Sequence, residues 1–319
     1  MNSLSNLSAI IPVKNGEAFV GDSFKRILKN FRETDEIIYI DDHSTDNTTS
    51  LLYNLSKSHK NVRIVKNPRN GIVDAMNYGI SKSKNKWIAR FDIDDFYSLD
   101  RIEIQRKFIF DQVAAIFCDY DFIDQNGCEM GQVLSPIFGS ATIGSLILCQ
   151  RTPHPGVIFS KDAYSRAGGY KECDFPAEDI ALWLRISRFG KVISIPKKLL
   201  KYRIHPYSIT ATKREQVNFK RQQVIDEYFP KKQILNMFNF RNDYRKYKLV
   251  DNSHERQFLA FRDYLAFLRH SNLRGRIALH LLYYGPKIIF NPKKLRVLFR
   301  LFKEKITRNK YRSKYYKFE

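Results

Sequence analysis

Three absences narrow the chain before any motif is read. Its four cysteines, Cys118, Cys128, Cys149 and Cys173, form no C-x-x-C pair and no zinc-type spacing with histidine. A zinc-ribbon framework is therefore excluded, and the expectation is reduced, buried thiols of a cytosolic protein. No uncharged apolar run approaches the roughly 18–20 residues needed to cross a bilayer. Met1–Ser8 is polar and uncharged, without a basic n-region or an apolar h-region, so secretion by a signal peptide is not expected. Low-complexity tracts are also missing, and 43% hydrophobic with 14% aromatic residues is the composition of a folded chain.

Acidic charge is scarce too, and unevenly so. The 33 Asp and Glu stand against 55 Lys and Arg, a formal net charge of +22. Residues 213–319 hold about 27 of the cations and about 9 of the acids, which leaves only about +4 for residues 1–212. The division predicts a catalytic α/β domain over 1–212 and a basic, aromatic-rich helical region over 213–319.

Within the first part, apolar runs alternate with helical spacing. Ser8–Val13, Glu36–Ile40 and Val62–Val65 read as short buried strands. Between them Phe19, Val20, Phe24, Ile27, Leu28 and Phe31 have helical spacing, and Ser44 or Asp46 can cap the helix carrying Leu51, Leu52 and Leu55. The loop Lys66–Gly71 precedes a helix over about 72–83, and a fourth strand begins at Lys86. Further on, Arg101–Phe110 reads as a helix, Ala114–Cys118 as a strand, and Pro153–Phe159 as a strand with His154 at its mouth. A helix starts on Glu178 and Asp179, and residues 192–204 read as a last strand pair. Strand-helix alternation with a polar loop after each strand is the pattern of an open, doubly wound sheet, whose ligands bind beyond the carboxyl ends of the strands. The loops after Ile11, Ile40 and Phe91 then meet at one site.

The densest chemistry lies in Trp87-Ile88-Ala89-Arg90-Phe91-Asp92-Ile93-Asp94-Asp95. Strand periodicity sends Asp92 and Asp94 to one side, where two carboxylates repel unless a cation lies between them. A divalent metal carrying nucleotide phosphates suits that position; a solvated acidic turn is the alternative for a lone D-x-D-D. Glu178 and Asp179 carry a similar ambiguity, because acids in a first helical turn are favoured by the helix dipole alone.

Taken in order, these segments resemble glycosyltransferase family 2. The matching pieces are Ile10–Glu17, Ile38–Thr48, Gly71 with Ala75, Asn77 and Gly79, and Trp87–Asp95. His154-Pro155, Gly168-Gly169-Tyr170, Glu178-Asp179 with Trp183, and Tyr202-Arg203-x-His205-x-x-Ser208 complete the set, over about residues 8–210. The resemblance implies a GT-A, Rossmann-like fold with an open mixed sheet flanked by helices, and inverting transfer from a nucleotide-sugar donor, usually a UDP-sugar. It implies Asp42 on the nucleobase, Pro12 and the Asn67–Asn70 loop around it, and Asn77 among the donor-binding residues. Asp92 matches the acid near the ribose, Asp94 the ligand of Mn2+ or Mg2+, and Asp95 a third member of that group. Asp179 matches the general base. Glu178 would support it or touch the sugar or acceptor, while His205 and Ser208 would meet the pyrophosphate or metal. His154 either shapes the sugar pocket or is a structural histidine. Met76 departs from the family, many members of which have Arg before the Asn.

The implied acceptor is a saccharide or lipid-linked oligosaccharide of polysaccharide biosynthesis. Transfer directly to a polyprenyl phosphate is the alternative reaction, and an inactive carbohydrate- or nucleotide-binding module the alternative of another class. In the basic region, amphipathic pieces such as His254–His270 favour an anionic membrane surface, hence a cytoplasmic enzyme peripheral on the inner face. Packing on the catalytic domain or on a second copy is the plainer reading, and nucleic acid the least favoured.

Overall fold

The computed structural model of the protein describes residues 5–133, 152–206 and 208–228. Its first half alternates strictly: β1 (Leu7–Val13), α1 (Glu17–Leu28), β2 (Glu36–Asp41), α2 (Thr48–Ser56), β3 (Val62–Lys66), α3 (Ile72–Lys82) and β4 (Trp87–Arg90). β1 is hydrogen-bonded in parallel to both β2 and β4, and β2 in parallel to β3. Every residue of β1, β2 and β4 is buried, which is why they read as continuous apolar runs rather than alternating ones.

Period two still operates within those runs, because it assigns neighbours to opposite faces. Ile10, Ile38, Ile40 and Ile88 enter one cluster with Val73, Met76 and Ile80 of α3. Ala9, Ile11, Ile37, Tyr39 and Ala89 enter the other, with Val20, Phe24 and Ile27 of α1 and Leu52 of α2. Each buried Ile or Phe stabilises the fold by about 1.5–3 kcal/mol, so helices are held to both faces. α3 lies especially close to the sheet. A Cβ on Gly79 would come within 2.6 Å of Ile40 Cδ1 and 3.0 Å of Ile10 Cγ2, so only glycine permits that approach.

Beyond β4 the sheet becomes mixed. β5 (Phe96–Tyr97), α4 (Arg101–Arg106), β6 (Val113–Ile123), β7 (Glu129–Val133), β8 (Ile158–Ser160), α5 (Lys161–Arg166), α6 (Glu178–Ile186) and β9 (Lys191–Arg203) follow. The described strands run β3-β2-β1-β4-β8-β6-β9-β5, with β7 also on β6. β8 is antiparallel to both β4 and β6, whereas β9 is parallel to β6. The open mixed sheet flanked by helices is the expected one. Where the sheet changes direction, fully buried polar side chains of α4 hold the backbone. Arg101 donates to the carbonyls of Arg90 (3.1 Å) and Val157 (3.3 Å), and Gln105 to those of Ile116 (3.1 Å) and Gly156 (2.8 Å).

Several local expectations need correction. The helix from Arg101 ends at Arg106 rather than near Phe110, and the following residues form turns into β6. Residues 191–203 are one long strand, not a pair; its register against β6 slips near Cys118–Tyr120, which accommodates Pro196. Cys118 is a buried free thiol, but Cys128, in the chain just before β7, and Cys173, in a short 3-10 helix over Glu172–Asp174, are exposed. Cys149 is outside the described residues.

Two further helices follow β9: α7 (Ile209–Thr212) and α8 (Arg214–Tyr228). α8 begins past the expected 212/213 boundary, yet its Val224 and Ile225 join the same core as Leu182 and Trp183 of α6. The rest of the basic region, His254–His270 included, lies outside the described residues. Among those described, no helix is long and apolar enough to cross a membrane.

Candidate active site

The parallel strands deliver their carboxyl ends to one edge, and the first two loops there are laced together. Asn15 and His43 take left-handed backbone conformations, at φ 50° and 60°. Asn15 N donates to Ser44 Oγ (3.0 Å), Thr45 N to Asn15 Oδ1 (2.8 Å), Glu17 N to Asp46 Oδ2 (3.1 Å) and Asn47 N to Glu17 Oε2 (3.1 Å). Neither expected cap holds the N-cap position of α2, which is Asn47; Asp46 just before it accepts from Thr48 N at 3.0 Å, and Ser44 is turned to the neighbouring loop.

Asp42 stands at the centre of this edge, 6% exposed. Its carboxylate accepts from Asn67 Nδ2 (2.7 Å) and from Gly71 N (3.0 Å), with Lys14 Nζ at 3.7 Å. Gly71, at φ 94°, makes the turn that points its N–H there. Asn67 is buried beneath this carboxylate, Asn70 is exposed at the rim, and Pro12 is buried in β1 opposite Ile40. Lys14 carried no role in the sequence reading; a lone lysine after a strand gives no distinguishing signal.

The triad forms differently from its expectation. β4 ends at Arg90, and Asp92–Asp95 lie in the bend that follows, so strand alternation does not set their directions. The bend nevertheless brings one oxygen from each of Asp92, Asp94 and Asp95 within 4.8 Å of the others. Arg90, 3% exposed, pairs through Nη1 with Asp92 Oδ1. Burial works against the guanidinium charge there, and Asp92 more than offsets it. Tyr97 clamps the bend, accepting from Asp92 N at 2.7 Å. Arg203 at the end of β9 fixes its far side: its N donates to Asp95 Oδ1 (2.7 Å) and its Nε to Asp94 O (2.7 Å). His205 Nε2 is 3.0 Å from Asp94 Oδ2. Ser208 accepts at Oγ from Ala211 N (3.3 Å) and so caps α7. Arg203 stands in the sequence only as a member of the Tyr202–Ser208 motif and Tyr97 carries no signal there, because their contacts depend on the β6–β9 and β5–β9 pairings.

This group suits a hard divalent cation. Asp95 is buried, yet its Oδ2 lacks a hydrogen-bond partner. Burial, then Asp94 and Asp92, push its carboxyl well above the usual range, which an added positive charge would relieve. Among the described residues no other such cluster of potential ligands occurs.

The helix α6 opens on Glu178 and Asp179. Burial, then the neighbouring Asp179, raise Glu178 to about 8. Burial raises Asp179 to about 6, against the Ile180 N–H (2.7 Å), Arg221 of α8 and Arg90. The two therefore titrate apart: near neutral pH one proton stays on the pair, favouring Glu178. Beneath them Asn77 accepts at Oδ1 from Tyr170 N (3.1 Å) and donates through Nδ2 to Tyr170 O (2.9 Å). Tyr164 also donates to Asn77 Oδ1, at 2.5 Å. Both ends of the Asn77 amide are thus engaged by protein. His154 Nε2 lies 2.8 Å from Tyr170 Oη, and burial, then Arg90, hold its pKa well below the ordinary histidine value. Met76 is buried in the core.

Known proteins share this framework. Residues 8–161 match the model of Glycosyl transferase family 2. A Haemophilus influenzae uncharacterized glycosyltransferase is 29% identical over 217 residues, 64% of this chain and 67% of the relative. A Rickettsia bellii relative of the same description is 30% identical over 202 residues, 63% of this chain; the matched part spans only 29% of that longer protein. Bacillus subtilis TuaG, named for teichuronic acid biosynthesis, is 23% identical over 65% of this chain and 82% of its own. The crystal structure of S. aureus TarS 1–349 with UDP superposes at a TM-score of 0.55, with 17% identity, over 98% of this chain and 94% of that one. A Pyrobaculum calidifontis mannosyltransferase with GDP-Man and Mn2+ reaches a TM-score of 0.54 at 14% identity, over 95% and 87%. The fold is GT-A, and residues 8–161 match glycosyltransferase family 2, the family the sequence resembles.

Proposed function

We propose that the protein transfers a sugar from a nucleotide-diphosphate donor, a UDP-sugar, to a saccharide or lipid-linked oligosaccharide acceptor, with inversion. The observation that carries this reading is the gathering of one oxygen from each of Asp92, Asp94 and Asp95 within 4.8 Å of the others, in a chain whose α6 opens on the buried Glu178 and Asp179. Asp42, with Asn67 and Gly71 behind it, receives the nucleobase, and the exposed Asn70 borders it. Asp92 faces the ribose side. His205 reaches the pyrophosphate through its place beside Asp94. Asn77 and Ser208 act by holding backbone, the first the Tyr170 turn and the second α7.

Asp94 and Asp95, with Asp92 beside them, would hold Mn2+ or Mg2+; when bound, the cation neutralises charge developing on the departing diphosphate. The remaining chemistry belongs to α6. The acceptor hydroxyl oxygen bonds to the anomeric carbon as the bond to the nucleoside diphosphate breaks, and its proton passes to the Asp179 carboxylate. With Asp179 near 6 and Glu178 near 8, the pair carries one charge and one proton at neutral pH. The ionised Asp179 accepts, while neutral Glu178 can donate a hydrogen bond to sugar or acceptor. A base so placed contributes about 10²–10⁴ in rate.

Asp179→Asn tests the assignment. Turnover should fall at least a hundredfold while nucleotide binding persists; unchanged turnover would refute it. Residues 213–319 bring the enzyme to an anionic membrane surface in this reading. Flotation with anionic and neutral vesicles, using the full chain, should show binding to the anionic ones alone.

A further inference from the structure

His43 holds a backbone conformation that costs free energy. Its φ of 60° lies in the left-handed region, which a side chain other than glycine occupies at a penalty. The imidazole supplies a compensation: Nε2 lies 2.7 Å from the carbonyl oxygen of Arg69, 26 positions later. A carbonyl can only accept, so Nε2 carries the hydrogen and donates it. The turn at residue 43 and this bond therefore support each other.

What the bond holds is the loop that serves Asp42. Asn67–Gly71 supplies two donors to that carboxylate, Asn67 Nδ2 at 2.7 Å and Gly71 N at 3.0 Å. The loop is fixed at its start, where Asn67 N donates to Asp41 O at 2.8 Å, and at its end by Asp42 itself. Pro68, Arg69 and Asn70 between them are exposed. Arg69 N reaches Asn67 Oδ1 at 3.3 Å, and its side chain, 79% exposed, meets Asp74 at 3.8 Å. Exposed ion pairs of that kind contribute little, so the 2.7 Å bond from His43 is the firm tie across the middle. It also closes a ring: Asp42 to Asn67, Asn67 to Arg69, Arg69 to His43, and His43 back to Asp42 along the chain. We infer that His43 is a positioning residue: its imidazole clamps the Asn67–Gly71 loop to the loop after β2, and so holds the donors that orient the Asp42 carboxylate before a nucleotide arrives.

The clamp presupposes Asp42 as the nucleobase site, and the two ideas are separable. UDP is the probe, its dissociation constant measured by calorimetry with manganese present, for wild type, His43→Asn, His43→Gly, His43→Gln and Asp42→Ala. Asn and Gly both accept the left-handed backbone, so neither adds strain; Asn is too short to reach Arg69 O, and Gly has no side chain. Both variants should bind UDP about five- to tenfold more weakly, because the loop must then be ordered on binding. Gln keeps an N–H donor at a reach close to that of Nε2, and His43→Gln should stay nearer to wild type. Hydrogen exchange over residues 67–71, measured without nucleotide, should speed up several-fold in His43→Asn and His43→Gly. Unchanged UDP affinity in those two variants, or unmoved exchange over 67–71, overturns the clamp. Should Asp42→Ala bind UDP as wild type does, the nucleobase assignment fails instead.

Discussion

Asn77 on α3 and Tyr170, 93 positions later, are joined by two hydrogen bonds, one in each direction between side-chain amide and main chain. The pairing pins the Gly168–Tyr170 turn to the helix that follows the Asn67–Gly71 loop. It also explains a carboxamide at this position: Asn offers a donor and an acceptor side by side on one short planar group, and Gln is longer.

Replacing Asn77 with Ala leaves both Tyr170 backbone groups and the Tyr164 hydroxyl without this partner. Denaturant unfolding should show a loss of about 2–3 kcal/mol. Asn77→Asp keeps the acceptor alone and should fall between the two, whereas a purely donor-binding role would leave stability unchanged.

Glu178 is held above its unfolded value by burial beside Asp179. A raised carboxyl favours the unfolded chain once pH exceeds the unfolded pKa near 4.5, and the penalty is complete above about 8. Glu178→Gln should thus match wild type near pH 4 and be more stable at pH 9, by on the order of 2–4 kcal/mol. Melting temperatures across that range check the sign; a variant less stable at pH 9 would contradict it.

The triad makes a separate prediction. Manganese with a nucleoside diphosphate should raise the melting temperature of the wild type, by linkage to binding. Asp94→Asn and Asp95→Asn should lose most of that shift, and a chelator should abolish it in the wild type. Retention of the full shift in both variants would move the cation elsewhere.

Gly79→Ala offers a test of packing. Alanine favours a helix over glycine by about 1 kcal/mol, yet the new Cβ would press on Ile40 and Ile10. Overpacking should prevail, giving a net loss of about 1–2 kcal/mol.

The early strands were legible because their apolar runs are local and buried on both faces: Ile10 and Ile11 had to enter different layers whatever lay beyond them. The later sheet was less so. Nothing local announces that β8 enters antiparallel between β4 and β6, or that residues 191–203 continue through Pro196 as one strand. At the site, spacing pointed to Asp92 and Asp94 and the family resemblance to Asp42, Asp179, Asn77 and the Arg203 motif, but the supporting contacts were not legible. Tyr97, Arg203 and Asn77 act through partners set by tertiary pairing, with separations of up to 109 residues. The bend at Asp92–Asp95 gathers carboxylates that strand alternation would have divided between two faces.

The lacing of Asn15, Ser44, Asp46 and Glu17 has a consequence for how donors are met. Two loops that share this many hydrogen bonds cannot open independently, so the wall beside Asp42, the proposed nucleobase site, is one piece formed during folding. Its conformational entropy is lost before any ligand arrives, and association there need not include ordering of those segments. Discrimination between bases at such a wall is a matter of fit to a fixed shape, enforced mainly through how fast a mismatched nucleotide departs.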